Sequence, residues 1–260
     1  MNRDRLQQKL DAHDGTGITA HLVAGYPDVP TTLDAARAIE AGGAEVLELQ
    51  FPFSDPLADG PTVLGACQAA LDAGTSHADF LGMLETITSE LTIPTVVMTY
   101  ANVPFVRGFE SFAKDLADAG ATGLIIPDLP HTEPEFDEFR AALTGAGVSY
   151  IPVVAPTSER KVIAELAATA DSFLYTVVRL GVTGRESSID EAVQNRLTEV
   201  NELASHPLAA GFGIRSREQV SLLEGHARLA VVGSKIVDTI RESGSSAATE
   251  VEKLVGALAG

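Results

Sequence analysis

Four times in this chain a helix-forming stretch runs into small residues, and a short apolar strand follows at once. Ala41-Gly42-Gly43-Ala44 leads into residues 45–49, and Ala119-Gly120-Ala121-Thr122-Gly123 into 124–126. Thr169-Ala170 leads into 171–177, and Glu224-Gly225-His226-Ala227 into 228–232. A helix stopped by small residues and followed directly by a strand is the helix-to-strand joint of a parallel sheet. Residues 17–23, 95–99, 149–154 and 207–210 read as further strands. Together they make about eight strand–helix units, the number that closes a (β/α)8 TIM barrel. The expectation is one α/β barrel domain over residues 1–260, preceded by a short polar helix at 3–13. An open doubly wound sheet would show a glycine-rich fingerprint after its first strand, and Gly25-Tyr26-Pro27 is not one.

Between the strands, residues 30–41 are helical until Gly42-Gly43. Thr132 with Glu135, and Ser188 with Glu191, have capping-box spacing, and Pro134 suits a first helical turn. Val251, Leu254, Val255 and Leu258 give the last helix its buried stripe.

Chemistry concentrates after the second strand, in Glu48-Leu49-Gln50-Phe51-Pro52-Phe53-Ser54-Asp55-Pro56-Leu57-Ala58-Asp59-Gly60-Pro61. Strand period sets Val46, Glu48 and Gln50 on one face and Leu47, Leu49 and Phe51 on the other. The apolar set belongs under helices, so Glu48 turns to the barrel interior, where desolvation favours a protonated carboxyl. Pro52, Pro56 and Pro61 stiffen the loop that carries Asp59. Two carboxylates, one ending a strand and one in a rigid loop, suggest paired acid–base chemistry.

Lys plus Arg total 18 against 36 Asp plus Glu, a formal charge of −18. That makes nucleic acid and anionic membrane poor partners for the surface as a whole. The acidic residues are spread along the chain, as in a protein adapted to a high-salt, halophilic cytoplasm. No apolar run is long enough to span a membrane. Residues 1–10 have no apolar signal core, so a cytoplasmic location is expected. The single cysteine, Cys67, shares helical spacing with Val63, Ala70 and Leu71 and reads as packing.

Gly211-Phe212-Gly213-Ile214 follows the seventh expected strand, and Gly233-Ser234 follows the eighth and opens a helical segment. In barrels these positions commonly hold a phosphate, on backbone N–H groups and a helix N-terminus. The loop after the sixth strand carries Gly181-Val182-Thr183-Gly184, suited to closing on substrate. Tyr175, late in that strand, points toward the barrel mouth. His13, His21, His77, His131, His206 and His226 form no HxH or HExxH pair, so no metal site is expected. None of the five lysines falls in an expected strand, so a Schiff-base aldolase has no nucleophile.

These stretches, with Tyr100-Ala101-Asn102 and Pro127-Asp128-Leu129-Pro130, resemble the tryptophan synthase alpha chain family over essentially the whole length. The resemblance implies a TIM-barrel lyase that cleaves indole-3-glycerol phosphate to indole and glyceraldehyde 3-phosphate. It implies catalytic roles for Glu48 and Asp59. It puts Thr183 against that aspartate on closure, and Tyr175 beside the glyceryl chain. It assigns Gly184, Gly213, Gly233 and Ser234 to the phosphate, in loops after the sixth, seventh and eighth strands, and includes Tyr100 and Phe212 among the substrate-binding residues. No cofactor is implied on this chain. Pyridoxal phosphate belongs to the implied partner, a beta chain, in an alpha2-beta2 assembly. The chain departs from the family pattern at His21, Gln50, Val178 and Tyr26, which bears on pocket shape and on contact with the partner.

Overall fold

The computed structural model describes residues 2–12, 15–178, 191–211 and 213–260. The strands are β1 (Gly17–Val23), β2 (Val46–Gln50), β3 (Thr95–Met98), β4 (Gly123–Ile125), β5 (Ser149–Ile151), β6 (Val153–Val154), β7 (Leu174–Val177), β8 (Leu208–Gly211) and β9 (Leu229–Val232). All recorded pairings are parallel, in the order β5-β4-β3-β2-β1-β9-β8-β7-β6. Only Pro152 separates β5 from β6, so the two ends of that order are one stretch of chain and the ring closes. The strand expected at 149–154 is therefore two segments. Proline has no N–H to donate to a ladder, and the break falls on it.

The helices are α1 (Asn2–Asp11), α2 (Val29–Ala41), α3 (Pro61–Asp72), α4 (His77–Glu90), α5 (Asn102–Arg107) and α6 (Phe109–Asp118) in the first half. The second half adds α7 (Phe136–Ala146), α8 (Arg160–Ala167), α9 (Glu191–Leu203), α10 (Arg217–Ser221), α11 (Ser234–Ser243) and α12 (Ala247–Ala259). Side chains cap several starts. Asp28 accepts the Thr31 N–H at 2.8 Å for α2, and Ser76 with Asp79 forms a capping box on α4. The box expected from Thr132 and Glu135 is absent: these residues lie in a turn, and α7 begins at Phe136 with no side-chain cap. Phe136, Phe139 and Leu143 still form its buried face, so the packing period survives the shifted start.

Two apolar layers follow from strand period. Leu47 and Leu49 join Ile39, Phe80, Leu84 and Val97 in the outer layer between strands and helices. Val46, Val96, Ile125, Ile151, Phe173, Ala209 and Leu229 fill the barrel interior, and Leu6 and Leu10 of α1 join them. Thus α1 plugs the end of the barrel where the strands begin. Arg228 fastens the plug: it donates to the Leu10, Gly15 and Lys9 carbonyls at 3.0, 3.2 and 3.3 Å. It also pairs with Glu45 at 2.6 Å, both side chains nearly buried. Among the described residues, filling the lower barrel leaves the interior space for a ligand at the opposite end, where the strands finish.

Candidate active site

Four polar side chains converge at that upper end because they share the inward parity. β1 and β2 pair with His21 opposite Glu48. The two are in contact: His21 Nδ1 lies 2.7 Å from Glu48 Oε1, and they are 5% and 3% exposed. One turn of the pleat further on, Gln50 points inward too. Its Nε2 donates to Asp59 Oδ2 at 2.7 Å. The Tyr100 hydroxyl, at the end of β3, donates to the same oxygen at 2.9 Å and accepts the Ala58 N–H at 3.1 Å. Phe53 stacks on the Tyr100 ring, centroids 5.2 Å apart. The proline-rich loop is thereby tied to the barrel at two points, and Asp59 is held over the strand ends.

Electrostatics separate the groups. Asp59 is half-buried, and loss of water raises its pKa above the usual aspartate value; the nearby His21 and the Gln50 and Tyr100 hydrogen bonds only partly offset this. Burial alone would discourage a charged His21. The hydrogen bond to Glu48 and the charges of Glu48 and Asp59 outweigh it, so its pKa lies above the ordinary histidine value. Burial, then the two carboxylates, push the Tyr175 hydroxyl well above its normal value, so it stays protonated. Cys67 is buried on α3, and its thiol is pushed up to about 11, consistent with packing.

A cavity of about 430 Å³ opens above these groups. His21, Glu48, Asp59 and Tyr175 lie on it, and Met98, Ile125, Val153, Val177 and Val231 give it apolar walls. Such a space accepts a flat apolar ring with one polar edge. Gly211, Gly213, Gly233, Ser234 and Arg215 line the same cavity. Gly211 makes room for Tyr175, since a Cβ there would meet the hydroxyl oxygen at 3.0 Å. Gly213 has φ +78°, a conformation other residues adopt at a cost. Gly233 precedes α11, whose first turn has no side-chain cap and so presents N–H groups suited to an anion.

Of the residues singled out from sequence, Glu48, Asp59, Tyr175, Gly213, Gly233 and Ser234 surround one cavity, and Tyr100 reaches it through Asp59. Thr183, Gly184 and Phe212 lie outside the described residues, as does Ser188 of the expected capping box. Sequence reading took His21 and Gln50 only as departures in pocket shape, and passed over Arg215. A histidine and a glutamine at inward positions of otherwise apolar strands were the signal for the first two.

Comparison with known proteins agrees with this geometry. The family described as "Tryptophan synthase alpha chain" matches residues 7–259. The tryptophan synthase alpha chain of Carboxydothermus hydrogenoformans is 38% identical over 86% of this chain and 83% of its own length. That of Syntrophotalea carbinolica is 35% identical over 94% and 95%. A structure of Mycobacterium tuberculosis tryptophan synthase superposes with a TM-score of 0.88 at 33% identity, covering 98% of this chain and 96% of that one. A mutant tryptophan synthase alpha-subunit from Pyrococcus furiosus gives 0.87 at 29% identity over 94% and 98%. The barrel, its cavity and these likenesses agree: the chain belongs to the tryptophan synthase alpha chain family.

Proposed function

We propose that the chain cleaves indole-3-glycerol phosphate to indole and glyceraldehyde 3-phosphate, as the alpha subunit of tryptophan synthase, with Glu48 and Asp59 as its acid–base pair. The observation that carries this is the placement of two carboxylates on one half-apolar cavity that ends at the uncapped start of α11. The phosphate sits at Gly213, Gly233 and Ser234, and the family resemblance adds Gly184 to that site. The indole ring lies between the apolar walls, and the family resemblance adds Phe212 to the substrate-binding residues.

The chemistry follows from that pose. Glu48 gives a proton to the ring carbon that carries the glyceryl chain. Asp59 accepts the indole N–H and stabilises the resulting cationic ring. Glu48, now a carboxylate, removes the proton from the glyceryl hydroxyl. The carbon–carbon bond breaks, its electrons return to the ring, and Glu48 ends protonated as it began. Tyr175 lies beside the glyceryl chain, and the family resemblance gives Thr183 the role of engaging Asp59.

The alpha chain needs no cofactor for these steps. Its partner is a beta chain carrying pyridoxal phosphate, in an alpha2-beta2 assembly. Exposed Leu57, Phe105 and Val106, on loops and a helix at the cavity end, support a partner surface there. No helix among the described residues is long and apolar enough to cross a membrane. A cytoplasmic location and adaptation to high salt complete the reading, the latter supported by the charge of −18.

Indole release from the substrate by the purified chain, with and without a beta chain, tests the activity. Glu48→Gln keeps size and hydrogen bonding but removes the transferable proton, so kcat should fall by about 10²-fold or more. Indole production within tenfold of wild type would remove Glu48 from the mechanism.

A further inference from the structure

The His21–Glu48 contact joins a titratable base to the group that moves protons in the proposed reaction. His21 Nδ1 faces Glu48 Oε1 at 2.7 Å, and both residues are buried. The second nitrogen, His21 Nε2, and the second carboxyl oxygen, Glu48 Oε2, are buried with no protein partner. His21 and Glu48 both line the cavity. The backbone fixes this arrangement, since His21 and Glu48 are opposed in the β1–β2 ladder. A Cβ on Gly233 would lie 3.6 Å from the His21 ring, so the imidazole also stands against the loop proposed to hold the phosphate.

We infer that His21 is a positioning residue for the cleavage: through Nδ1 it holds the proton that Glu48 gives to the substrate and recovers from it. The inference rests on the reading of Glu48 as the acid–base group. In one state the imidazole carries the proton and Glu48 is a carboxylate. In the other the proton has crossed from Nδ1 to Oε1, leaving a neutral imidazole and a carboxylic acid. The two states contain the same atoms and charge, so the crossing needs no outside donor. Delivery to the ring carbon uses the second state, and removal of the hydroxyl proton restores it.

The charged and titratable groups around His21 favour keeping that proton. Glu48 faces it from β2, and Asp59 from the loop after β2. Tyr175 on β7 and Tyr100 after β3 face the carboxylates as protonated hydroxyls. Arg215 lines the same cavity, with Nη2 directed to Asp238 at 3.6 Å. Gly233 and Ser234 add no charge. Two carboxylates therefore surround one imidazole. Its pKa is raised despite burial, so the pair keeps a proton to higher pH than a free imidazole would.

The test compares the wild-type chain with His21→Phe, His21→Asn and Glu48→Gln, measuring kcat and KM for indole-3-glycerol phosphate across pH, and the His21 ring nitrogens by NMR. His21→Phe should move the alkaline limb of kcat down by about one pH unit and change KM little. His21→Asn keeps a donor toward Oε1 but holds no extra proton, so it should show the same shifted limb. The wild-type ring should titrate above the ordinary histidine value, and in Glu48→Gln below it, once burial acts with that charge removed. An unchanged kcat–pH profile in His21→Phe, full recovery of the limb by His21→Asn, or a ring titration indifferent to Glu48→Gln would each overturn the inference. A fully active Glu48→Gln would instead overturn the reading beneath it.

Discussion

Gln50, ending β2, and Tyr100, just past β3, donate to the same oxygen of Asp59, Oδ2, at 2.7 and 2.9 Å. A loop carboxylate is thus clamped by the barrel wall before any substrate arrives. Preorganisation of this kind lowers the cost of reaching the reactive geometry. Tyr100→Phe also removes the acceptor for the Ala58 N–H, so it releases the loop as well as the carboxylate. Either Gln50→Leu or Tyr100→Phe should lower kcat/KM by about tenfold, and the pair together by less than the product. Steady-state kinetics on the three variants measures this. A strictly multiplicative effect would show that the two donors act independently.

Burial of Asp59 also carries a stability cost when its carboxyl ionises. Its carboxyl is held above the usual aspartate value, chiefly by burial. A group with a raised folded pKa binds its proton more tightly in the folded than in the unfolded chain. Stability therefore rises as pH falls through the folded value and is given up where Asp59 ionises. Asp59→Asn should abolish turnover yet melt higher than wild type at pH 7. That advantage should shrink as pH falls below the folded value toward that of a free aspartate. Melting curves at pH 7 and pH 4 decide it, and a lower Tm for Asp59→Asn at pH 7 would contradict the sign.

At the end proposed to hold the phosphate, a Cβ on Gly233 would meet the His21 ring only at ordinary contact distance. Gly233→Ala should therefore be tolerated. Gly233→Asp puts a carboxylate at the start of α11, where the phosphate needs N–H groups, and should raise the apparent KM by about tenfold or more. Titration with inorganic phosphate gives an independent reading. Equal phosphate affinity in the Ala and Asp variants would move the site elsewhere.

The Arg228–Glu45 pair holds the plug in the barrel. Removing one partner of a buried pair leaves the other charge desolvated, so Arg228→Met should cost about 3–5 kcal/mol in urea unfolding. Glu45→Met with Arg228→Met should recover only part of that loss, because the bonds from Arg228 to the Leu10, Gly15 and Lys9 carbonyls are lost as well. A single-variant loss below about 1 kcal/mol would show that solvent reaches the pair and screens it.

The acidic surface predicts a salt response. A net charge of −18 repels itself over a Debye length of about 10 Å at 0.1 M salt and about 3 Å at 1 M. Tm should rise across a potassium chloride series to molar concentration. A flat or falling midpoint would sink the high-salt reading and leave the lyase reading intact.

The positions of the strands, the inward turn of Glu48 and the packing role of Cys67 were legible because a period of two or 3.6 residues is local information. Residues 132–135 misled because Thr-x-x-Glu spacing describes both a capping box and an exposed turn, and only the fold chooses between them. The interruption at Pro152 was written in the chain, but an apolar run on either side masked it. His21 and Gln50 were harder. Their partners stand 27 and 9 residues away, and a lone polar side chain in a strand carries no mark of whom it will meet. Parity put them inside the barrel; register brought His21 to Glu48, and the fold of the loop after β2 brought Asp59 to Gln50.

Leu6 and Leu10, packed beneath the interior side chains, make the barrel a vessel with a floor. A small hydrophobic product formed near Glu48 cannot drain downward through that packing. Its way out is at the upper end, where Asp59 and the loop that carries it stand. Whatever protein sits against that rim decides whether the product escapes to solvent or is handed on, so a helix at the far end of the molecule gives the traffic its single direction.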